Sequence, residues 1–142
     1  MNKEDLPIVL AIEGKSFANP WSASAFLGEI ANKDISFPFV IVLQGGGEVI
    51  GYIVYWILEE EAQISNLAIH PAYRGFGIAK NVLNQVLDKM QSSGVLYVFL
   101  EVRPSNMPAR LLYEEMGFEI FGIRKNYYRS PDEDALVMGK TL

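Results

Sequence analysis

The sequence predicts an α/β protein in which helices pack on a mixed β-sheet, and three patterns carry this prediction. Two apolar, β-prone runs at 37–43 and 49–58 flank a glycine-rich turn, which is typical of a β-hairpin. A strand, a glycine-rich turn, an amphipathic helix and a second strand follow one another over residues 64–102, which is typical of a parallel crossover. Two helical stripes of apolar residues precede the hairpin.

The N-terminal stripes predict two helices. Residues Asp5 to Phe17 place apolar side chains at helical spacing, and the pair Asn19-Pro20 then breaks the pattern. Ser22 is positioned to cap the second, shorter helix. No repeat or linker interrupts the rest of the chain, so residues 1–142 are expected to form a single domain.

The third strand carries an irregularity. Ile64 and Leu67 have opposite parity, so both can face one core only if a bulge near Ser65-Asn66 absorbs an extra residue. Such a bulge splays this strand from the next parallel strand, predicted at 95–102. It opens a slot in which an extended ligand can pair with free backbone groups.

The other elements follow from spacing and turn residues. Helical spacing and a following glycine predict helices at 77–93 and 107–116. The last two strands are predicted at 118–128 and 135–141, joined by a polar turn.

Composition excludes several classes of function. The net charge of −5 disfavours nucleic acid as a partner and favours a basic peptide or amine. No apolar run has transmembrane length and the first residues lack a signal-peptide pattern, so we expect a cytoplasmic protein without a membrane partner. The chain has no cysteine and one histidine, which leaves no thiol to carry an acyl group and argues against a metal site.

The glycine-rich turn has the features of an anion site. Gly75 and Gly77 allow a close approach, and the backbone N–H groups from Gly75 to Lys80 can point at a phosphate. A dinucleotide fingerprint would need a third glycine at Lys80, and a P-loop would need Gly-Lys-Ser/Thr to close the turn. The alternative interpretation is a plain strand-to-helix turn that needs glycines.

This turn, residues 74–79, resembles the Arg/Gln-x-x-Gly-x-Gly/Ala loop that cradles the coenzyme A pyrophosphate in the GCN5-related N-acetyltransferases. The resemblance implies a mixed, mostly antiparallel central sheet with a V-shaped splay between two central parallel strands, and helices on both faces. It also implies acetyl-coenzyme A as co-substrate and no metal. The implied coenzyme-binding residues are Leu67, Ala68, Ile69, Arg74, Gly75, Phe76, Gly77, Ile78, Ala79, Lys80 and Asn106.

A second stretch resembles the ribosomal-protein-alanine N-acetyltransferases within that superfamily. Residues 100–106 and 112–118 read Leu-Glu-Val-Arg-x-Ser-Asn and Leu-Tyr-Glu-x-x-Gly-Phe. The resemblance implies that Glu101 is the general base and Tyr113 the general acid. From the residues alone, Glu101 can also mark the exit of a strand to solvent, and Tyr113 can be a core aromatic whose hydroxyl reaches the edge.

The resemblance continues at both ends of the chain, in segments 17–22 and 124–138. These look like the Phe-x-Pro-Trp-Ser segment and the tyrosine-containing ending of protein N-terminal acetyltransferases. They imply that Trp21, Tyr127 and Tyr128 contact the acceptor, although a tyrosine pair in a hairpin can also serve packing alone.

Together these patterns predict an acetyl-coenzyme A-dependent N-acetyltransferase. The expected acceptor is the N-terminal α-amine of a protein, an alanine of a basic small-subunit ribosomal protein, acetylated by direct transfer in a ternary complex. Two alternatives stay open at this point. One is acetylation of a small amine or a lysine side chain, and the other is a coenzyme A-binding sensor without turnover.

Overall fold

The computed structural model describes all 142 residues. Four α-helices and six β-strands form the fold, with short 3₁₀ turns at Lys3–Asp5 and Pro71–Tyr73. The helices are α1 (Leu6–Ser16), α2 (Ala23–Ala31), α3 (Ile78–Ser92) and α4 (Met107–Glu115). The strands are β1 (Ser36–Val42), β2 (Val49–Leu58), β3 (Glu61–Ile69), β4 (Tyr97–Val102), β5 (Glu119–Tyr128) and β6 (Glu133–Thr141).

All six strands belong to one sheet, in the order β1-β2-β3-β4-β6-β5. Only β3 and β4 are parallel, and every other neighbouring pair is antiparallel. The predicted mixed, mostly antiparallel sheet is therefore confirmed. The last strand begins at Glu133 instead of Ala135, because Tyr128 pairs with Glu133 across the final turn.

The bulge predicted in the third strand is present. Val54 of β2 pairs with Asn66, whereas the next residue, Tyr55, pairs with Ile64, so Ser65 is the extra residue. Parallel pairing between β3 and β4 then stops at Ile64 and Leu100. Beyond this point the two strands separate, which produces the predicted V-shaped splay.

Two hydrophobic cores cover the two faces of the sheet. The larger core joins α3 and α4 to the sheet around Leu83, Met90 and Leu100, and both Ile64 and Leu67 contribute to it. The smaller core packs α1 and α2 on β2 and β3. Its members are Leu6, Val9, Ile12, Phe26, Tyr52, Val54 and Ala68. The bulge lets both Ile64 and Leu67 face the larger core despite their opposite parity, and helices lie on both faces of the sheet as predicted.

The helix cap predicted at Ser22 is also present. The Ser22 hydroxyl accepts a hydrogen bond from the Ala25 backbone N–H at 3.2 Å and caps α2. None of the helices combines the length and apolar character needed to cross a membrane.

Gly51 in β2, which pairs with Ile69 of β3, provides a test of the tight packing between these two strands. A Cβ at Gly51 would lie 2.6 Å from the Ala68 carbonyl oxygen and 2.9 Å from Ile69 Cδ1. Gly51→Ala should therefore destabilise the protein by ~1–3 kcal/mol, because backbone must move to admit the methyl group. Urea denaturation monitored by circular dichroism measures this change.

The matched control is Gly14→Ala in α1, where a Cβ meets no heavy atom within 4 Å. The free energy of unfolding of this variant should rise by ~0.5–1 kcal/mol, since alanine is a better helix former than glycine. Equal stability of the two variants would contradict the packing described for Gly51.

Candidate functional site

Two clefts open beside the splay. The strand cleft occupies the gap between β3 and β4, has a volume of about 200 Å³, and is lined by residues that include Trp21, Glu101 and Tyr128. The loop cleft, of about 560 Å³, is lined by the turn before α3 and by one side of α4. Five residues line both clefts, namely Phe17, Leu67, Asn106, Ala109 and Tyr113. The clefts therefore meet beside Tyr113.

The turn that lines the loop cleft leaves the start of α3 open. Gly77 is the N-cap residue, has φ of +74°, and supplies no side-chain acceptor to the first turn of the helix. Gly75 also has a positive φ, of +85°, and a Cβ on either glycine would meet no heavy atom within 4 Å. By contrast, Ser22 and Asn106 cap α2 and α4 through their side chains. The open N–H groups and the adjoining space fit an anionic group such as a pyrophosphate.

The two basic side chains of the loop cleft are already engaged within the protein. Arg74 donates from Nε to the Ile69 carbonyl and from Nη2 to Ser16 Oγ, each at 2.8 Å. Lys80 pairs with Glu115 at 2.6 Å across the cleft. Arg74 therefore braces the end of β3 against α1, and Lys80 links α3 to α4.

Ten of the eleven coenzyme-binding residues predicted from the sequence line the loop cleft. The exception is Phe76, which lies at the tip of the turn with 76% of its surface exposed and lines neither cleft. The structure thus gathers the backbone of residues 67–69, the glycine turn and Asn106 around one space. Asn106 has a local task there as well, since its Oδ1 accepts from the Ala109 N–H at 3.3 Å.

Glu101 lies on the wall of the strand cleft, at the end of β4. Its side chain is 14% exposed and its Oε1 pairs with Arg124 Nη1 at 2.7 Å. Arg124 in turn lies over the ring of Tyr127, 5.2 Å from its centroid. The carboxylate is therefore held by β5 while it faces the cleft.

The predicted acceptor aromatics are only partly assembled around the strand cleft. Trp21 and Tyr128 line it from opposite ends of the chain. Tyr127 does not line it, is 48% exposed and packs edge-on against Tyr128 with ring centroids 5.0 Å apart. The register of β5 and β6 shifts between Arg124 and Tyr128, and Asn126 has φ of +55°, so the regular alternation of side chains is broken before the tyrosine pair.

The tyrosines near the splay are kept in their neutral form. Burial raises the pKa of Tyr113 to about 12. Burial and the negative charge of Glu101 also raise the pKa of Tyr128 to about 12. Burial, followed by the neighbouring carboxylate of Glu101, raises the pKa of Tyr127. At neutral pH the phenols of Tyr113 and Tyr128, which line the clefts, can therefore donate hydrogen bonds into them.

Two residues of the site were missed by the sequence reasoning. Glu13 is 1% exposed yet lines the strand cleft. The sequence feature that could have revealed it is its position four residues after Val9, which places it on the buried stripe of α1. Arg103 stacks on the Tyr128 ring at 4.4 Å and donates to the carbonyls of Arg129 and Pro131. No local pattern in the sequence indicates this long-range contact.

Comparison with known proteins connects this geometry to a family. The model of the acetyltransferase (GNAT) family matches residues 6–118. The chain belongs to the GNAT family. Its fold and its predicted class, an acetyl-coenzyme A-dependent N-acetyltransferase, are thereby confirmed.

Several known proteins are similar over nearly the whole chain. A Bacillus subtilis protein, provisionally named a ribosomal protein bS18-alanine N-acetyltransferase, is 37% identical over 100% of this chain and 93% of its own length. The crystal structure of the Escherichia coli ribosomal-protein-S18-alanine N-acetyltransferase superposes with a TM-score of 0.88 at 31% identity, covering 99% of this chain and 90% of that one. The NatC complex bound to Gag peptide and coenzyme A contains a chain that matches at 26% identity and a TM-score of 0.83, covering 99% and 92%.

A charge placed at the start of α3 tests the anion site. Gly77→Glu should abolish binding of acetyl-coenzyme A, because the carboxylate would lie beside the open N–H groups and repel a pyrophosphate. Isothermal titration calorimetry with the folded variant measures the loss.

The matched control is Gly47→Glu in the β1–β2 turn, where φ is +72° and a Cβ also meets no atom within 4 Å. It carries the same backbone strain and the same added charge away from the clefts, and it should bind the coenzyme normally. Normal binding by the Gly77 variant would place the pyrophosphate elsewhere.

Proposed function

We propose that this protein acetylates the N-terminal α-amine of a protein, and that an alanine at the start of a basic small-subunit ribosomal protein is its acceptor. The junction of the two clefts beside Tyr113 carries this proposal. One cleft has the open helix start that suits a pyrophosphate, and the other has a carboxylate and aromatic walls. Similar proteins whose names specify the alanine of ribosomal protein S18 support the choice of acceptor.

In this proposal the loop cleft holds acetyl-coenzyme A, which supplies an activated acetyl thioester. The glycine turn and the first turn of α3 bind the pyrophosphate, and the backbone of residues 67–69 runs from there toward the junction. Beyond Ile64 this part of β3 has no partner on β4. The Leu67 N–H and the Ile69 carbonyl already bind the side chains of Asn66 and Arg74. The remaining backbone groups on this open edge can pair with an extended ligand.

The acceptor amine enters the strand cleft and meets Glu101. An α-amine with a pKa of ~8 is mostly protonated at neutral pH, so it must lose a proton before it attacks. We assign this proton to Glu101, directly or through water. Because the chain has no cysteine, an acyl group has no protein thiol to occupy, and we propose direct transfer within a ternary complex.

Tyr113 is assigned to the departing sulfur. It is the aromatic residue with a hydroxyl group that lines both clefts, and its pKa of about 12 keeps the phenol protonated. The departing thiolate, whose conjugate acid has a pKa of ~8.5, is a weaker base than this phenolate. We therefore assign Tyr113 to donate a hydrogen bond that stabilises the departing thiolate, which takes its proton from solvent at neutral pH because its conjugate acid has a pKa of ~8.5.

Geometry and acidity both favour N-termini over lysine. Trp21 and Tyr128 line the strand cleft, whose volume of about 200 Å³ suits the end of an extended chain. A lysine amine has a pKa of ~10.4, about 2 units above that of an α-amine, so one base would face a larger barrier with lysine. The net charge of −5 also favours approach of a basic protein.

The role of Glu101 as the base is testable with an isosteric variant. Glu101→Gln should lower kcat by ~10²–10⁴ because it removes the proton acceptor, while the Kd for acetyl-coenzyme A stays the same. Single-turnover kinetics with an alanine-starting basic peptide measures the chemical step.

The variant also breaks the ion pair with Arg124, so Arg124→Gln is the matched control. This variant removes the same ion pair but keeps the Glu101 carboxylate, so it should lower kcat much less than Glu101→Gln does. Equal losses in the two variants would show that the ion pair, and not the base, is what the reaction requires.

The choice of amine is tested by locating the acetyl group. A peptide that begins with alanine and contains internal lysines should be acetylated at its α-amine, with little product at lysine. Tyr128→Ala should lower kcat/KM for the peptide while coenzyme binding stays intact, because this side chain lines the strand cleft. Tyr127→Ala should do the same through the loss of its packing on Tyr128.

Fragment mass spectrometry identifies the modified nitrogen. Product found chiefly on lysine side chains would overturn the acceptor assignment, and coenzyme binding without any turnover would make the protein a sensor.

A further inference from the structure

We propose that Glu13 is a positioning residue for the acceptor, because it fastens the Trp21 wall of the strand cleft to the bulged part of β3. This inference rests on the proposed function in one respect, namely that Trp21 contacts the acceptor. The hydrogen bonds that fasten this wall lie within the protein and do not depend on the proposed function.

Three donors from three different segments meet at the Glu13 carboxylate. Its Oε2 accepts from the Trp21 backbone N–H at 2.8 Å. Its Oε1 accepts from Asn66 Nδ2 at 2.7 Å and from the Tyr52 hydroxyl. The side chain thus ties the α1–α2 connection to β2 and β3.

The contact with Asn66 extends the connection to the junction of the clefts. Asn66 follows the bulge residue Ser65, and its Oδ1 accepts from the Leu67 N–H at 3.1 Å. The amide is therefore fixed at both ends. A continuous series of hydrogen bonds runs from Trp21 through Glu13 and Asn66 to Leu67, which lines both clefts.

Trp21 is held at two points. Its backbone binds Glu13, and its ring packs against Phe26 with centroids 5.2 Å apart. Phe26 contacts Tyr52 edge-on at 5.6 Å, so the ring contacts return to the same tyrosine that donates to Glu13. Loss of the carboxylate would release the backbone and leave the Phe26 contact as the remaining hold on the ring, so the loop could shift and expose the ring to water.

Burial makes this carboxylate sensitive to substitution. Glu13 is 1% exposed and forms no ion pair in the structure, so its neutral donors must offset the loss of water. A packing role alone would be served by an apolar side chain at this position of α1. The carboxylate instead suits a position that has to orient polar groups on both sides of the cleft.

The test compares Glu13→Gln with Tyr52→Phe, both in a Trp56→Phe background so that Trp21 is the remaining tryptophan. In Glu13→Gln an NH₂ group replaces one carboxylate oxygen. Because this group donates and cannot accept, the variant loses the hydrogen bond from Trp21 or the one from Asn66. The phenylalanine removes one donor and leaves both of those bonds in place.

For Glu13→Gln we expect the Trp21 emission to shift to longer wavelength and kcat/KM for an alanine-starting basic peptide to fall ~10–100-fold, as expected for a misplaced substrate contact. The Kd for acetyl-coenzyme A should change less than about 2-fold, since the loop cleft keeps its glycine turn. For Tyr52→Phe we expect a smaller change in kcat/KM and an unchanged emission. If Glu13→Gln does not fold, Glu13→Asp takes its place, since it keeps the charge but is one methylene too short for all three bonds.

Unchanged Trp21 emission and unchanged kcat/KM in a folded Glu13 variant would overturn the inference. Equal losses in the Glu13 and Tyr52 variants, with coenzyme binding weakened as well, would overturn it too by assigning Glu13 a general structural role. Failure of the wild-type protein to acetylate any peptide N-terminus would instead count against the proposed function. In that case the emission of Trp21 alone decides whether Glu13 fastens the wall.

Discussion

The end of parallel pairing between β3 and β4 is the constraint on which the rest of this structure depends. One extra residue, Ser65, shifts the register of β3 against β2 while the pairing with β4 stops at Ile64. A strand that has lost one neighbour must satisfy its backbone groups in another way. This need explains why both clefts, the aromatic wall and the buried Glu13 lie beside this short stretch of β3.

The charged groups around the splay are arranged in connected pairs. Arg124 holds Glu101 and stacks on Tyr127, and Arg103 stacks on Tyr128 while it binds the carbonyls of the last turn. Ser105 and Arg103 also bind Glu133, which lowers the pKa of that carboxyl. Cations between aromatic rings and carbonyls give the last hairpin a defined position over the cleft, although its strands pair irregularly.

Much of the fold could be predicted because its signals are local. The apolar spacing in α3, the Ser22 cap and the parity conflict between Ile64 and Leu67 each lie within a few residues. The glycine turn carried enough information to indicate an anion site. Glu13 binds a residue 53 positions away in the sequence, and Arg103 binds one 30 positions away. Patterns among neighbouring residues could not reveal these contacts. The separation of Tyr127 from the strand cleft likewise depends on the β5–β6 register, which turn chemistry alone does not specify.

The junction of the clefts lies among residues of the α1–α2 connection, β3 and α4, and the reaction proposed there sets a condition on the state of the acceptor. Because an extended chain advances only ~3.3–3.6 Å per residue, the proposed acceptor would need a free, unfolded N-terminal tail to bring its first nitrogen to Glu101. A ribosomal protein whose N-terminus is already docked in an assembled particle would be inaccessible. Modification would then be confined to the interval between synthesis and assembly, and the extent of acetylation would record how long the free tail was available.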